Sequence, residues 1–600
     1  MRQLLPLGLL LSLGCRGSEG VGPSATPRDL TTMSVGEVRV FNPADVWDGF
    51  LVPSAPSAQG YVFIVGNSNP QLDVVASYVV KTNPSTAGLQ ANSAAPDVAT
   101  QSNSLITDIS PAPTAQESID SRIRTFERSG LTLESGAGPL RISRSAARSA
   151  RLVSAAVVPA LGDTLSVKIP DAATTNLCKN FIPTRAVVAS VSRRAILAVD
   201  TLDGPPQTLF TQPVLDSIAQ EFDNIIFPTD SSYFNNPTDV DGNGRIIILF
   251  TGQVNKLTSP LQSDLVGGFF FAGDFFPTTG TQDGTFCPQS NNAEIFYVMS
   301  PDPTGKFNNV RSTSSVRQAT RGTVAHEFQH MINSGNRYVN PAVKAFEVSW
   351  LDEALAHFAE DAVGRTQRGF TDLQTLTLGD LLPPGNQQAA NDFNAFLYQN
   401  LARLTYWMVR PDTSSGISAH TDKNLSSRGA AWAMLRHAAD NYSAGDPRAL
   451  THRLSLGPDT GVKNFTAATN TPIDTALAGW LVSMYADHLG IPGLDQKYQY
   501  RSYNFRSVMP TVARSVLGLQ APAYPLQILS IGSPASVSST NRSGSGTYYS
   551  LGVPANGGPI AVRIVSRAPN ALLNCCIQTD KEWRSRLGYP GAHVYVLRTQ

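Results

Sequence analysis

Two histidines and a glutamate in one short segment have the spacing of a metal site. The segment "VAHEFQHMIN" carries His326 and His330 four positions apart, with Glu327 directly after the first histidine. In a helix, residues i and i+4 stand one above the other, so both imidazoles can reach one ion. Zinc accepts imidazole nitrogens, and a glutamate beside it can take the proton from an attacking water. The HExxH pattern therefore predicts a zinc site with Glu327 as general base.

A catalytic zinc ion needs a third protein ligand, and the segment "EVSWLDEALAHFAED" offers one. Its apolar residues recur at helical spacing, and Ser349 with Asp352 has the spacing of a capping box, so a helix is predicted to start here. Glu353, His357 and Glu360 follow at i, i+4 and i+7 and share one face. A polar stripe on an apolar helix must face water or an ion, because an unpaired buried carboxylate is costly. Glu353 is the predicted third ligand.

Other residues of this region are candidates for supporting roles. Metal-bound histidines usually donate their second ring nitrogen to a carboxylate, and Glu360 or Asp361 could accept such a bond. A surface carboxylate is the alternative for both. His357 could support the site, substitute as a ligand, or be a structural residue of the helix. The oxyanion of a tetrahedral intermediate also needs a donor, and the sequence does not rank three candidates: Tyr398, Tyr406 and His437.

A second pattern, "DVDGNG", begins like a calcium loop. Asp239, Asp241 and Asn243 alternate as calcium ligands do. The twelfth position is Phe250 instead of a glutamate, and a strand-like run follows at once. A tight turn and a Ca²⁺ site therefore both remain open.

The size and charge of the chain limit its architecture and its partners. A chain of 600 residues is too long to fold around a single hydrophobic core, so several domains are expected. The composition, with 42% hydrophobic and 15% charged residues, is that of a folded globular protein. Because 46 basic residues balance 46 acidic ones, no broad attraction to nucleic acid or to an anionic membrane is expected.

The N-terminal sequence predicts export. "MRQLLPLGLLLSLGC" has one arginine, an apolar run and then Cys15, so residues 1–14 are predicted to be a signal peptide. "LSLGC" resembles a bacterial lipobox, in which the cysteine carries the lipid, and plain secretion is the alternative. Either outcome places the protein outside the cytoplasm, at the cell envelope or secreted, with a lipid on Cys15 as the only membrane contact. No later stretch reaches the roughly 18 apolar residues of a membrane span.

The remaining cysteines allow disulfides in an exported protein. Cys178 and Cys287 fall in one predicted domain and could pair. Cys575 and Cys576 are adjacent and are awkward partners for each other.

The chain divides by composition into segments of different secondary structure. After a tether at 15–34, short strand-like runs predict a β-sandwich-like domain at 35–130, and an arginine-rich segment at 131–157 is read as a linker. Residues 158–510 begin with mixed strands and helices and become mostly helical. Short strands return at 511–600 and predict a second β-sandwich-like domain. The predicted fold class is α+β multidomain.

"HEFQHMIN" followed by "WLDEALAHFAED" resembles the gluzincin metallopeptidases, and among them the hyicolysin-like family. The resemblance spans about 160–490 and includes "DVDGNGRIIILF", "GGFFFAGDFF" and "RGAAW". It implies a zincin-like core with a mixed N-terminal and a helical C-terminal subdomain. It also implies that Glu327 is the general base and that three residues bind Zn²⁺: His326, His330 and Glu353.

Two positions depart from the family pattern around the third ligand. Asp352 stands where the family usually has asparagine, and Ala354 where it usually has glycine. The interval from the second histidine to Glu353 is also longer than in the thermolysin and aminopeptidase branches. These differences concern the subfamily and the substrate.

The leading functional hypothesis is therefore an exported zinc metalloendopeptidase that acts on protein or peptide substrates. The alternative is a non-catalytic surface binding or adhesion protein on a peptidase-like scaffold. A hydrolase for another bond on the same fold is a third hypothesis, since a fold does not determine the substrate.

Overall fold

The structure is a computed structural model, and it describes most of the chain. The predicted signal peptide at 1–14, Cys15, Cys575 and Cys576 lie outside the described residues, as do 134–157 of the predicted linker. Among the residues that are described, no helix is both long enough and apolar enough to cross a membrane. The described residues are 27–42, 49–69, 75–84, 101–102, 113–133, 158–260, 264–280, 284–417, 424–518, 521–566 and 592–600.

Strands lie at both ends of the chain and in its middle. They are β1 (Arg28–Asp29), β2 (Val38–Phe41), β3 (Phe50–Val52), β4 (Gln59–Asn67), β5 (Val75–Pro84), β6 (Gln101–Ser102), β7 (Thr164–Pro170), β8 (Phe181–Val191), β9 (Ala195–Asp200), β10 (Ile246–Phe250), β11 (Gly268–Phe270), β12 (Ile295–Val298), β13 (Ile528–Ser530), β14 (Ala535–Arg542), β15 (Gly546–Val553), β16 (Ile560–Ser566) and β17 (Ala592–Arg598).

Helices predominate from residue 313 to 517. The helices are α1 (Ala115–Gly130), α2 (Pro206–Leu209), α3 (Gln212–Glu221), α4 (Phe227–Phe234), α5 (Gly252–Asn255), α6 (Thr313–Val339), α7 (Ser349–Gln367), α8 (Leu378–Leu381), α9 (Gln387–Asp392), α10 (Tyr398–Val409), α11 (Leu425–Asn441), α12 (Pro447–Leu456), α13 (Gly461–Thr469), α14 (Ile473–Ala486) and α15 (Phe505–Leu517). Single π-helical turns, Phe222–Ile226 and Phe393–Leu397, precede α4 and α10.

The central region begins with a six-stranded sheet in the order β11-β12-β10-β9-β8-β7. Strands β9, β10 and β12 are parallel, whereas β11, β7 and β8 pair antiparallel with their neighbours. β9 and β10 have the sequences AILAVD and IIILF and are buried at every position, as strands covered on both faces are. β11 lies at the edge of this sheet and packs against α6.

The strands of the two chain ends form common sheets. One sheet has the order β1-β3-β16-β5-β14-β6 and the other β13-β15-β4-β17-β2, so both mix early and late strands. The prediction of a separate β-sandwich-like domain at each end was therefore wrong. β4 is buried along nearly its whole length and pairs with β15 on one side and β17 on the other. Without the late strands, both edges of this apolar strand would be unpaired, and an open apolar edge favours aggregation.

Helices α6 and α7 pack against each other and hold the predicted metal ligands. Ser312 caps α6 by accepting a hydrogen bond from the Ser315 N–H at 3.1 Å. α7 begins at Ser349, as predicted, but the predicted capping box is absent, since Val348 occupies the cap position and no side chain caps the helix. The Asp352 carboxylate instead faces α6. The fold as a whole is mixed α+β and multidomain, and the predicted domain boundaries stay predictions.

A disulfide joins two loops beside the central sheet. Cys178 and Cys287 are bonded, with their Cα atoms 4.9 Å apart. The sequence allowed this pairing without determining it. α1 falls within the segment predicted as β-sandwich, but it packs against β11 and α7 of the central region.

Candidate metal centre

The ligand atoms of three residues on α6 and α7 lie close together. The Nε2 atoms of His326 and His330 are 3.1 Å apart. Glu353 Oε2 lies 3.5 Å from His326 Nε2, and Glu353 Oε1 lies 3.9 Å from His330 Nε2. All three side chains are buried. The helical spacing thus brings the two histidines together, and the packing of α7 on α6 adds the glutamate.

The distances and the chemistry of these atoms fit zinc. Ligands about 2.1 Å from a tetrahedral zinc ion are separated from one another by about 3.4 Å, and the separations here are 3.1 to 3.9 Å. Glu353 Oε1 is buried and has no hydrogen-bond partner among the described residues. A buried carboxylate oxygen is costly unless a donor or a cation completes it. His326, His330 and Glu353 therefore could hold one zinc ion and leave a fourth position for water.

Each histidine presents its other ring nitrogen to a carboxylate on α7. His326 Nδ1 lies 2.7 Å from Glu360 Oε1. His330 Nδ1 lies 3.1 Å from Asp352 Oδ2, and the Asn333 side chain donates to Asp352 Oδ1 at 2.7 Å. Carboxylates in these positions favour the tautomers that leave both Nε2 atoms free for a metal.

The sequence marked Asp352 as part of a predicted capping box and as a departure from the family pattern, and not as the partner of a histidine. Its contact with His330 depends on how α7 is placed on α6. Its position directly before Glu353 was the available signal. Consecutive residues of a regular helix point about 100° apart, so Asp352 could face the neighbourhood of the same site.

Glu327 lies beside the three ligand residues and is tied to the edge of the central sheet. Its Oε2 accepts a hydrogen bond from the Phe270 N–H at 2.9 Å. Burial raises the pKa of Glu327 to about 8, against the lowering effect of His326. The contact fixes the carboxylate between α6 and β11.

Arg428 is a contact of the third ligand that the sequence did not single out. Its Nη1 donates to Glu353 Oε2 at 2.7 Å and to Asp120 Oδ2 at 3.2 Å. Burial alone would raise the pKa of Glu353, but the positive charge of Arg428 and the bond to His326 hold that pKa well below its usual value. Arg428 thus keeps Glu353 ionised and fixes one of its oxygens. Arg428 is the arginine of "RGAAW", and its positive charge in a mostly uncharged helix was the available signal for a buried role.

The remaining candidates on α7 lie in two different environments. His357 Nδ1 is 3.1 Å from Glu360 Oε1, so His357 contacts the carboxylate that faces His326. Burial lowers the pKa of His357 to about 3. Asp361 belongs to another set of contacts, since it accepts from Arg365 Nε at 3.0 Å and from the Tyr503 hydroxyl at 2.7 Å. The prediction that Asp361 could orient a metal-bound histidine is not matched by these contacts.

Two of the three candidate oxyanion donors have partners elsewhere in the helical region. The Tyr398 hydroxyl lies 3.0 Å from Ser515 Oγ, and His437 Nε2 lies 2.9 Å from the Lys497 carbonyl oxygen. Burial lowers the pKa of His437 to about 4 and raises that of Tyr406. These contacts place Tyr398 and His437 outside the metal centre, and the role of Tyr406 stays a prediction.

The "DVDGNG" turn forms a second acidic group, at the start of β10. Carboxylate oxygens of Asp239, Asp241 and Glu294 lie within 4.8 Å of one another. Asn243 caps the turn, because its Oδ1 accepts from the Arg245 N–H at 2.6 Å. Backbone N–H groups also donate to the carboxylates. The Val240 N–H, for example, donates to both Glu294 oxygens, at 2.9 and 3.0 Å. These bonds are those of a tight turn, and the prediction of Ca²⁺ stays open.

Comparison with known proteins gives one partial relationship. No protein-family model matches the chain. It is similar to the neutral metalloprotease ShpI of Staphylococcus hyicus, with 31% identity over 144 residues. The match covers 24% of this chain and 30% of that protein, so the chain spans less than a third of its relative. The partial similarity, together with the group of His326, His330 and Glu353, supports a metallopeptidase.

Proposed function

We propose that the protein is a zinc-dependent metalloendopeptidase of the gluzincin class, with a zincin-like core of the hyicolysin-like type. The observation that carries the proposal is the convergence of the two Nε2 atoms, 3.1 Å apart, with the Glu353 carboxylate, whose Oε2 lies 3.5 Å from His326 and whose Oε1 lies 3.9 Å from His330. Oε1 has no hydrogen-bond partner among the described residues. The partial similarity to a neutral metalloprotease supports peptides or proteins as substrates.

The ligand residues and their neighbours have separate parts in this proposal. His326, His330 and Glu353 would hold the ion, while Glu360 and Asp352 would orient the two imidazoles. When bound, zinc lowers the pKa of a water molecule and polarises the carbonyl of the scissile bond.

Glu327 is the proposed general base. Its carboxylate, held by the Phe270 N–H, would take the proton from the attacking water and pass it to the amine leaving group. A residue with this function acts on the proton and not on the ion, so its removal should separate hydrolysis from zinc binding.

We also propose that the protein is exported, either as a lipoprotein anchored through Cys15 or as a secreted enzyme. The bond between Cys178 and Cys287 supports an oxidising compartment. The apolar N-terminal run before Cys15 is the sequence feature behind the proposal.

The test compares zinc content and hydrolysis in two variants of the full chain. Glu327→Ala should keep about one zinc per chain and lose casein hydrolysis by about 10²- to 10⁴-fold, the usual contribution of a positioned base. His330→Ala should lose both zinc and hydrolysis. Long incubations allow a low basal rate to be measured. His452→Ala, on α12, is the matched control and should change neither quantity.

Three results would contradict the proposal. Full hydrolysis by Glu327→Ala would remove the proposed base. A chain that takes up no zinc, or that binds zinc without any hydrolysis, would favour the non-catalytic binding protein.

A further inference from the structure

Helix α1 buries charged side chains against the metal centre. Four charged residues of this helix are at most 4% exposed: Glu117, Asp120, Arg124 and Glu127. A helix that packs on a globular domain normally buries an apolar face. Burying charges is tolerated only where partners meet them, so the surface that receives α1 must carry matching groups.

The matching groups on one side of α1 are backbone atoms of the edge strand β11 and its flanks. The Gln116 amide donates to the Gly268 carbonyl oxygen and accepts from the Gly267 N–H, both at 2.8 Å. Two-way bonding of this kind is what a peptide group makes to a sheet edge. Arg124 adds a bond to the Phe270 carbonyl oxygen at 2.6 Å.

The bonding continues just beyond β11. Glu127 accepts from the Ala272 N–H at 2.7 Å and pairs with Arg124 at 2.6 Å. The same short stretch supplies the Phe270 N–H to Glu327. Side chains of α1 therefore occupy the hydrogen-bonding edge next to the proposed general base.

On its other side, α1 meets arginines of the helical region. Arg428 bridges Asp120 and the third ligand Glu353. Arg403 donates to Glu117 at 3.0 Å and lies 3.4 Å from His357 Nδ1. α1 thus spans from the sheet edge to α10 and α11.

The metal centre is closed in the structure, with α1 packed beside it. His326 is 6% exposed, and Glu327, His330 and Glu353 are 2%, 1% and 1% exposed. A peptidase must place an extended substrate beside its ion and its base, and an extended peptide binds most directly along a free sheet edge.

We propose that α1 is an inhibitory segment that imitates a peptide along β11 and must leave before substrate can bind. This inference rests on the proposed peptidase function. α1 also buries Ala115, Ile119 and Ile123 in the main hydrophobic core. The polar part of the interface suits release, because its charged groups are well hydrated once separated and buried ion pairs contribute little net stability.

The test weakens α1 in the full chain. The triple variant Gln116→Ala/Arg124→Ala/Glu127→Ala removes the bonds to the β11 edge and keeps a good helix former at each position. The control is Thr125→Ala/Ser129→Ala on the exposed face of the same helix. Casein hydrolysis and the rate at which 1,10-phenanthroline removes bound zinc are measured for each, together with the thermal unfolding midpoint.

The triple variant is expected to hydrolyse casein and to release zinc about tenfold faster than the wild type, through a larger open population. The control should match the wild type. Adding Glu327→Ala to the triple variant should abolish the gain in hydrolysis and keep the gain in zinc release. Should the triple variant not fold, Gln116→Glu alone, which removes the donor to Gly268, should shift both rates in the same direction.

If the triple variant folds, binds zinc and shows wild-type rates of hydrolysis and zinc release, the proposal that α1 is inhibitory is wrong. A wild type that is faster than the variant would contradict it as well. If neither protein takes up zinc, the proposed function itself fails, and the zinc content distinguishes that result from the first two.

Discussion

Helix α7 carries two buried polar clusters that differ in what completes them. The metal cluster consists of Glu353, Asp352 and Glu360 with the two histidines of α6. The arginine cluster consists of Asp361, Arg365, Arg436 and Asp440. Asp361 directly follows Glu360, yet its Oδ1 accepts from Arg365 at 3.0 Å, and its Oδ2 lies 3.5 Å from Arg436 Nη1.

Both clusters are buried, so the difference between them lies in the groups that the carboxylates contact. In the arginine cluster, guanidinium groups neutralise the acids, and Arg436 also donates to Asp440 at 3.0 Å. In the metal cluster, carboxylates fix the imidazoles, and the free Nε2 atoms face the Glu353 carboxylate, whose Oε1 has no hydrogen-bond partner among the described residues. Removing an arginine should therefore cost stability, whereas removing a carboxylate of the metal cluster should cost metal affinity.

The largest expected effect tests the arginine cluster. Arg436→Met removes the cation that pairs with buried Asp440 and leaves Asp361 paired with Arg365, which should lower the free energy of unfolding by about 3 to 5 kcal/mol. Zinc content should stay unchanged. Urea unfolding measures the loss, with Arg448→Met as a control, because the Arg448 side chain is 51% exposed. If Arg436→Met lost zinc with little loss of stability, the two clusters would not be functionally distinct.

Glu360→Gln tests the metal cluster next. The amide keeps the size of the side chain but accepts more weakly from His326 Nδ1, so zinc affinity should fall about 10- to 100-fold. Competition with a chromogenic chelator measures the dissociation constant. The unfolding free energy of the metal-free protein should change less than in Arg436→Met, and a larger change would make Glu360 a structural residue.

Tyr503→Phe removes one neutral donor from the arginine cluster. The hydroxyl bonds Asp361 at 2.7 Å, and a hydrogen bond to a charged group contributes about 1.5 kcal/mol. Urea unfolding should show a loss of that size, with zinc affinity unaffected. A fall in zinc affinity here would mean that Asp361 acts on the metal after all.

Asp352→Asn should have the smallest effect. Asparagine is the usual residue of the resembled family at this position and can still accept from His330 Nδ1 through its amide oxygen. Zinc affinity should fall by less than about tenfold, below the range for a lost carboxylate partner. The same chelator titration measures it, and a loss equal to that of Glu360→Gln would show that the charge of Asp352 is needed.

The candidate site follows from the sequence where its geometry is local. The i, i+4 spacing fixes His326 and His330 on one face of α6, and the polar stripe of the next helix points to Glu353. Asp361 shows the limit of this reasoning. Asp361 directly follows Glu360 of that stripe, but its partners Arg436 and Tyr503 come from distant parts of the chain, and no local pattern identifies them.

The fold follows the same division. Continuous apolar runs predict the buried strands β9 and β10, and helical periodicity predicts α6, α7 and α11. The pairing of β4 with β15 and β17 joins residues more than 470 positions apart. Strand pairing depends on edges supplied by other strands, so two separate β units and one joined unit have the same local sequence pattern.

The sequence by itself determined the HExxH helix, the glutamate on the following helix and the mixed α+β order, because these depend on helix periodicity and on short separations. Only the tertiary structure decided that Asp352 and Glu360 face the two histidines, that Arg428 holds Glu353, that Asp361 pairs with arginines, and that α1 lies along β11. Each of these contacts joins side chains from different elements. The free energy of such contacts comes from burial and charge pairing between distant parts of the chain, which no local window of sequence contains.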